Sequence, residues 1–379
     1  MSKPIKALVI FGTRPEVIKL APVVMAMKAR PDCFSPTVCA TAQHRQMLDQ
    51  ALAAFELGTD EDLDIMTPGQ TLAEVTARAV ERLDGVVERV HPDVILVQGD
   101  TTTAFCGALA GYYHQVKVGH VEAGLRTGDK YAPFPEEINR RLVSQLTDFH
   151  FAPTERARRA LLGEGVLGSS VHVTGNTVID ALLWMRERVR QHPPELPEGL
   201  EEWIRGRRVV LVTGHRRESF GEGFENICRA IRQVADEIPG VAFVYPVHLN
   251  PNVREPVMRI LGAHKRILLI DPLSYEPFVW LMDRCELVLT DSGGIQEEAP
   301  SLGKAVLVMR EVTERPEGIE AGVARLVGVH QEGIASSLIE LLSDLRVREA
   351  MTASRNPYGD GKAAERILDI LEREFVERR

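Results

Sequence analysis

The chain has 379 residues and a formal net charge of −9, with 44% hydrophobic and 26% charged residues. Its length suits two domains of ordinary size, and its composition is typical of a soluble globular protein. The acidic balance argues against a nonspecific nucleic-acid binder, because neutralising phosphates requires clustered Lys and Arg.

Cysteine usage and hydropathy indicate a cytoplasmic setting. An odd number of cysteines without a CxxC pair favours reduced thiols over a disulfide framework or a zinc site. The first apolar run, residues 7–11, is too short for a signal-peptide core, and no stretch approaches the roughly 20 apolar residues of a membrane span. We therefore expect no metal and no membrane association. The five cysteines are Cys33, Cys39, Cys106, Cys228 and Cys285.

Short apolar runs alternate with longer helical patterns along the whole chain. This alternation predicts an α/β fold with two doubly wound domains, each a mainly parallel sheet covered on both faces. A Pro- and Glu-rich segment, residues 191–207, interrupts the alternation and is interpreted as a linker. The runs are KALVIF (6–11), PTVCAT (36–41), DVILVQ (93–98), VKVGHVEAG (116–124), FHFAP, VHVTG, VVLVTGH (209–215), VAFVYPVH (241–248), RILLID (266–271), ELVLTD (286–291) and AVLVMR (305–310).

Ionisable residues follow many of these strands, where ligands bind in doubly wound sheets. Taken singly, most have ordinary explanations: Asp100 suits a helix N-cap, and Glu16 with Lys19 suits a solvated helix pair. Glu122 is harder to explain structurally, because it follows a strand that should be buried and buried carboxylates need partners. Their convergence on one sheet edge favours a ligand site. The set is Arg14, Glu16, Lys19, Asp100, Glu122, His215 and His248.

The segment PFPEEINRR (133–141) predicts a helix start with Pro135 in its first turn. Glu136 and Arg140 are four residues apart and share a helix face. They form either a surface ion pair of little energetic value or a carboxylate held ionised beside a ligand.

The segment TDSGGIQEEAP (290–300) turns from a strand into a helix through paired glycines. It matches neither GxGxxG nor GxxxxGK[ST], but amides at a helix start can bind a phosphate oxygen. Only one of Glu297 and Glu298 can face a ligand, since adjacent helix residues diverge by about 100°, and that glutamate suits a ribose diol. The cations Arg14, Lys19, His215 and Arg315 suit a diphosphate, which leaves Asp100, Glu122 and Glu136 for proton transfer.

Taken together, the motifs resemble those of the bacterial non-hydrolysing UDP-N-acetylglucosamine 2-epimerases. They cover nearly the whole chain in family order, and the set is specific although no single motif is. The matching stretches are FGTRPEVIKLAPV (11–23), QGDTTTA (98–104), GHVEAGLRTG (119–128), PFPEEINRR (133–141), TGNTVIDAL (174–182), TGHRRESFG (213–221), YPVHLNP (245–251), TDSGGIQEEAPSLGKAVLVMR (290–310) and TERPEG (313–318).

The resemblance implies the glycosyltransferase type B architecture, with two Rossmann-like domains and the active site between them. The expected boundaries are 1–190 for the acid/base domain, 191–207 for the linker, 208–360 for the UDP-binding domain and 361–379 for a C-terminal helix returning to the first domain. We also expect a homodimer, a UDP-sugar substrate and no cofactor.

The resemblance assigns roles to matching residues. Its implied catalytic residues are Asp100, Glu122, Glu136 and His215, with Arg140 supporting Glu136. Its implied substrate-binding residues are Arg14, Lys19, His215 and Arg315 at the diphosphate or sugar, Ser292, Gly293 and Gly294 at phosphate, Glu298 at the ribose and Phe278 at the uracil.

Many members of this family bind a second UDP-N-acetylglucosamine as an activator. The matching residues are Gln43, Gln46 and His248. Two positions depart from the family pattern: Gly69 replaces an arginine found before QTL in many members, and Leu273 replaces a glutamine beside the uracil in some.

The expected reaction is reversible epimerisation of UDP-N-acetylglucosamine to UDP-N-acetylmannosamine, supplying the activated sugar for cell-surface polysaccharide. The alternatives are a hydrolysing 2-epimerase, an epimerase of a related UDP-2-acetamido sugar, a retaining glycosyltransferase and a noncatalytic UDP-sugar sensor. The absence of a fused kinase-like region disfavours the first, no acceptor site is evident for the glycosyltransferase, and the intact acidic set argues against the sensor.

Overall fold

The computed structural model describes residues 3–41, 45–67 and 69–376. They form two compact units. The first contains the chain up to Ala181 and again from Tyr358 onward, and the second contains Leu182–Pro357. The predicted linker, residues 191–207, lies within the second unit.

A parallel sheet of seven strands forms the centre of the first unit. The spatial order is β3-β2-β1-β4-β5-β6-β7, and every strand pair is parallel. The central strands are continuous apolar runs, as a sheet covered on both faces requires. The strands are β1 (Ile5–Phe11), β2 (Phe34–Ala40), β3 (Glu61–Asp62), β4 (Val94–Gln98), β5 (Lys117–Val121), β6 (Phe149–Ala152) and β7 (Val171–Val173).

Helices connect these strands. Several begin at a threonine whose side chain accepts a hydrogen bond from a backbone amide of the first turn, among them Thr71, Thr101 and Thr154. The helices are α1 (Arg14–Lys28), α2 (Arg45–Ala54), α3 (Leu72–Val90), α4 (Thr102–Tyr113), α5 (Glu136–Leu146), α6 (Glu155–Gly163) and α7 (Thr177–Gln191), which runs from the first unit into the second.

The second unit contains a parallel sheet of six strands in the order β10-β9-β8-β11-β12-β13. Its strands are β8 (Arg208–Thr213), β9 (Val241–Pro246), β10 (Ile267–Ile270), β11 (Leu287–Thr290), β12 (Ala305–Val308) and β13 (Ala324–Leu326). Its further helices are α8 (Leu200–Ile204), α9 (Glu222–Glu237), α10 (Pro251–Leu261), α11 (Tyr275–Arg284), α12 (Gly293–Glu298), α13 (Pro316–Glu320), α14 (Gln331–Ser343) and α15 (Leu345–Ala353).

The C-terminal helix, α16 (Ala363–Val376), packs against α1 in the first unit. The carboxylate of Asp180 accepts hydrogen bonds from the amides of Ala363 (3.2 Å) and Ala364 (2.8 Å) at its start. Arg30, just beyond α1, pairs with Asp369 at 2.7 Å. Together these contacts attach the end of the chain to the first unit.

The predicted α/β class with doubly wound parallel sheets is confirmed. In each sheet the strand order reverses beside the first strand, between β1 and β4 and between β8 and β11. Loops after these strands therefore flank a topological switch point, the usual ligand position in such sheets. Within the described residues, no helix combines the length and apolarity of a membrane-crossing segment.

Candidate active site

Glu16 joins the two loops at the switch point of the first sheet. Its carboxylate accepts hydrogen bonds from the amides of Gly12 (3.1 Å) and Thr13 (2.8 Å), and from the hydroxyl groups of Thr13 (2.7 Å) and Thr101 (2.7 Å). Glu16 is only 1% exposed, and this burial raises the pKa of its carboxyl to about 7. The sequence interpretation of Glu16 and Lys19 as a solvated pair is therefore wrong.

The contribution of Glu16 to the stability of the first unit should fall as pH rises from about 4.5 to 7. The folded pKa of Glu16 lies above its ordinary value, so its contribution is complete below pH ~4.5 and is lost through pH ~7, by about 3 kcal/mol. In scanning calorimetry across this range, the stability of Glu16→Gln should rise by about 3 kcal/mol relative to that of the wild type. Glu74→Gln is the control, because Glu74 is the exposed capping-box glutamate of α3. The pH dependence of its stability should match that of the wild type. The same pH dependence of stability in all three proteins would contradict the role of Glu16.

Glu122 lies in the loop after β5, and three side chains from other parts of the first unit bind its carboxylate. Lys19 of α1 donates to its Oε1 at 2.5 Å, Asn176 donates to the same oxygen at 3.2 Å, and Gln98 at the end of β4 donates to Oε2. Glu122 is 7% exposed and has a left-handed φ of 64°. A carboxylate fixed by a cation and two amides is suited to a defined proton-transfer geometry.

Lys19 thus contacts an acidic residue of the first unit. The predicted contact of Lys19 and Arg14 with the diphosphate or sugar stays a prediction. Arg14 is the first residue of α1 and is half-buried. Gln98 and Asn176 were missed as partners of Glu122, because 24 and 54 residues separate them from it.

Asp100 lies next to Glu122 through the turn after β4. A β-carbon added at Gly99 would lie 3.6 Å from Oε2 of Glu122, and the φ of Gly99, 69°, favours glycine. Arg140 of α5 donates through Nε (2.9 Å) and Nη2 (2.6 Å) to Oδ2 of Asp100. The amide of Asn139 donates to the Asp100 carbonyl at 2.9 Å. The structure therefore brings two of the predicted acids to neighbouring positions.

Arg140 has different partners from the one predicted. It pairs with Asp100 and, at 3.3 Å, with Glu137. The predicted pairing of Arg140 with Glu136 is therefore wrong. Glu136 begins α5 directly after Pro135, and its buried Oε2 has no hydrogen-bond partner within the described structure. Arg140 turns away from Glu136 because Asp100 and the buried Glu137 both offer carboxylate oxygens.

A second set of site residues lies at the switch point of the second sheet. The buried Asp291, after β11, accepts hydrogen bonds from the amides of His215 (2.7 Å) and Arg216 (2.8 Å) after β8. The hydroxyl groups of Thr213 and Thr290 lie 2.6 Å apart and join the same two strands. These contacts fix the two loops that carry the predicted phosphate ligands.

Two guanidinium groups lie beside Gly293. A β-carbon at Gly293 would lie 3.9 Å from Nη2 of Arg315 and 4.0 Å from Nη2 of Arg216. Ser292 is at the N-cap position of α12 without a side-chain capping hydrogen bond, and Gly294 is exposed. The loop therefore combines backbone amides with two cations, an arrangement suited to phosphate oxygens. Arg216 was missed, although it lies within the quoted TGHRRESFG segment.

The adjacent glutamates of α12 point to different partners, as helix geometry predicts. Arg315 donates to Oε1 of Glu297. Glu298 accepts a hydrogen bond from the hydroxyl of Tyr275 at 3.3 Å. Tyr275 begins α11, which also carries the half-buried Phe278. The predicted ribose and uracil residues are thus on neighbouring elements of one unit.

His215 stacks on His248, with ring centroids 5.3 Å apart. Partial burial lowers the pKa of His215; the Asp291 carboxylate opposes this, and His248 and Arg216 reinforce it. A cavity of about 430 Å³ opens beside the rings and is also lined by Arg216 and Arg217. A neutral imidazole that gains charge when an anion arrives suits the predicted position beside a diphosphate.

The predicted activator site is only partly covered by the structure. Gln43 lies outside the described residues, and so does the side chain of Gln46. His248 stacks on His215 and accepts the amide hydrogen bond of Asn250 at 3.1 Å. Binding of a second UDP-sugar there stays a prediction. Across residues 3–41, 45–67 and 69–376, His, Cys, Asp and Glu form no group of three or more that could hold a metal ion.

The two doubly wound units match the glycosyltransferase type B class of nucleotide-sugar enzymes. A family model described as UDP-N-acetylglucosamine 2-epimerase matches residues 25–372. The UDP-N-acetylglucosamine 2-epimerases of Yersinia pestis and Escherichia coli K12 are 56% and 54% identical to this chain. The alignments cover 98% and 97% of it, and 99% and 98% of the relatives.

Solved structures agree. A putative UDP-N-acetylglucosamine 2-epimerase from Listeria monocytogenes has a TM-score of 0.93 at 46% identity, covering 99% of this chain and 97% of that one. The Neisseria meningitidis enzyme bound to UDP-GlcNAc has a TM-score of 0.86 at 46% identity, covering 97% and 99%. The chain belongs to the UDP-N-acetylglucosamine 2-epimerase family and is an isomerase, which confirms the resemblance to the non-hydrolysing bacterial members.

Proposed function

We propose that the protein interconverts UDP-N-acetylglucosamine and UDP-N-acetylmannosamine by eliminating UDP and adding it back. Relatives 54–56% identical over almost the whole chain carry the epimerase name, and the Neisseria relative binds UDP-GlcNAc. The observation that carries the proposal is the Glu122–Lys19 and Asp100–Arg140 arrangement, two oriented carboxylates around the turn at Gly99.

The substrate determines why elimination must come first. The hydrogen on carbon 2 of the sugar is not acidic, because no carbonyl adjoins that carbon. Departure of UDP from carbon 1 creates oxocarbenium character, which makes the neighbouring proton removable. A carboxylate then takes this proton and leaves 2-acetamidoglucal. UDP adds back while a proton reaches the opposite face of carbon 2, so inversion is best served by two proton carriers.

The second unit has the groups needed to hold UDP. Arg315 and Arg216 beside Gly293 supply positive charge where the diphosphate gains negative charge on leaving. Glu298 would accept hydrogen bonds from the ribose, and Phe278 would lie against the uracil. His215 would contact the diphosphate or sugar.

The first unit supplies the proton carriers in this proposal. Glu122 and Asp100 form the principal pair, each oriented by a cation. Glu136 is the third candidate, because its buried Oε2 has no hydrogen-bond partner in the described structure. Which carboxylate removes the proton and which returns it stays open.

Incubation with UDP-N-acetylglucosamine in heavy water, without added cofactor, tests the proposal. Deuterium should appear at carbon 2 in a mixture of the two UDP-sugars. Stoichiometric UDP with free N-acetylmannosamine would instead identify a hydrolysing 2-epimerase. No deuterium incorporation at millimolar substrate would exclude epimerisation of this sugar, and the same assay with other UDP-2-acetamido sugars would test the related substrates.

Three further expectations stay predictions. They are supply of activated N-acetylmannosamine for cell-surface polysaccharide, a homodimeric active form and a cytoplasmic location.

A further inference from the structure

Glu137 is a fully buried carboxylate with four hydrogen-bond or ion-pair donors. Its side chain is 0% exposed. Oε2 accepts from the amide of Thr127 at 3.0 Å and from Nη1 of Arg140 at 3.3 Å. Oε1 accepts from the amide of Gly128 and from Nη2 of Arg141, both at 3.3 Å. A carboxylate enclosed in this way is fixed in position. Loss of its donors would cost free energy, because water does not reach the buried oxygens to replace them.

These contacts join the two loops that carry the catalytic acids. Thr127 and Gly128 lie on the segment that leaves β5 through Glu122. Arg140 reaches from Glu137 to Asp100, after β4. Glu137 is therefore bonded to the segment downstream of one acid and to the cation of the other.

We propose that Glu137 is a positioning residue for epimerisation, which holds Arg140 against Asp100 and fixes the base of the loop between β5 and α5. This inference rests on the proposed function, because it assumes that Asp100 transfers a proton. Glu137 itself touches no reacting atom in this proposal.

The charges around Glu137 determine how its loss would be observed. Burial opposes its ionisation, but the amides of Thr127 and Gly128 and the charge of Arg140 outweigh this and lower its pKa. Replacing this carboxylate by an amide removes the charge that pairs with Arg140 at 3.3 Å and leaves one acceptor oxygen for the amides of Thr127 and Gly128. The charged groups facing this region are Asp100, Arg126, Arg140, Arg141 and Glu164.

The test compares Glu137→Gln with the wild type in the epimerisation assay, at a temperature at which both proteins are folded. We expect kcat to fall by up to about 10²-fold, as for a misplaced catalytic group, with KM changed less than about threefold. A purely structural loss would lower the unfolding temperature and leave the kcat of the folded protein unchanged.

Asp180→Asn is the matched control, because Asp180 is also buried and accepts two backbone amides but lies at the start of α16. It should lower the unfolding temperature and leave the kcat of the folded protein unchanged. If Glu137→Gln does not fold, Glu137→Asp replaces it. This variant keeps the charge but is one methylene too short, so kcat should fall and the amides of Thr127 and Gly128 should exchange hydrogen faster.

Three results would overturn the inference. They are wild-type kcat in folded Glu137→Gln, an equal loss of kcat in folded Asp180→Asn, or wild-type kcat and hydrogen exchange in Glu137→Asp. Failure of the proposed function is distinguishable from all three, because the wild-type protein would then place no deuterium at carbon 2.

Discussion

Glu122→Gln should lower kcat by ~10²–10⁴, the range that general acid–base groups supply. The amide is nearly isosteric, but it cannot take a proton, and it presents an NH₂ group to the ammonium of Lys19 or the amides of Gln98 and Asn176. Steady-state kinetics with UDP-N-acetylglucosamine, coupled to deuterium incorporation at carbon 2, measures the effect. The KM should change much less, because the lost interaction belongs to the transition state.

Asp100→Asn and Glu136→Gln should lower kcat by factors in the same range. Glu155→Gln is the control, since Glu155 is an exposed residue in the first unit that pairs with Arg158 at 2.7 Å. Such surface pairs contribute little to stability, so this variant should keep wild-type turnover. Near-normal turnover in all three amide variants would refute the assignment of these acids to proton transfer.

The fold could be predicted because most strands of these sheets are apolar runs separated by helices. The two strands that were missed are short. β3 is only Glu61–Asp62, and β13 is Ala324–Leu326. Each lies at an edge of its sheet, where one side lacks a strand neighbour and a hydrophobic run is not required. Local sequence pattern therefore carries little information about them.

Positions at strand ends could also be predicted, but their pairing could not. Lys19 lies where strand-end reasoning expected a ligand-facing cation, and the structure joins it to Glu122, 103 residues away. Helical spacing paired Arg140 with Glu136, whereas Asp100 after β4 competes for the same guanidinium. Periodicity shows which residues share a face, and tertiary packing decides which charge they meet.

Within PFPEEINRR, Glu137 was overlooked beside Glu136. A buried, fully bonded carboxylate and a partly exposed one have the same local sequence signal. Only the loop at Thr127 and Gly128, whose amides bond to Glu137, distinguishes them. Between Glu297 and Glu298 the family resemblance made the choice, and its assignment of Glu298 to the ribose stays a prediction.

Arg315→Met should destabilise the second unit by about 3–5 kcal/mol, because it takes the guanidinium from a buried ion pair. Glu297, its partner, has a side chain only 2% exposed. The chain has three tryptophans, Trp184, Trp203 and Trp280, and all belong to the second unit. Urea unfolding followed by tryptophan fluorescence therefore reports this unit selectively.

The same variant should weaken UDP binding by about 10- to 100-fold, as expected for loss of a hydrogen bond to a charged phosphate. Calorimetric titration with UDP measures this. The double variant Glu297→Gln with Arg315→Met separates the two effects: it should recover most of the stability, because no uncompensated charge stays buried, and it should still bind UDP weakly. Wild-type affinity in the stable double variant would mean that Arg315 only neutralises Glu297 and that Arg216 and the Gly293–Gly294 amides hold the diphosphate without it.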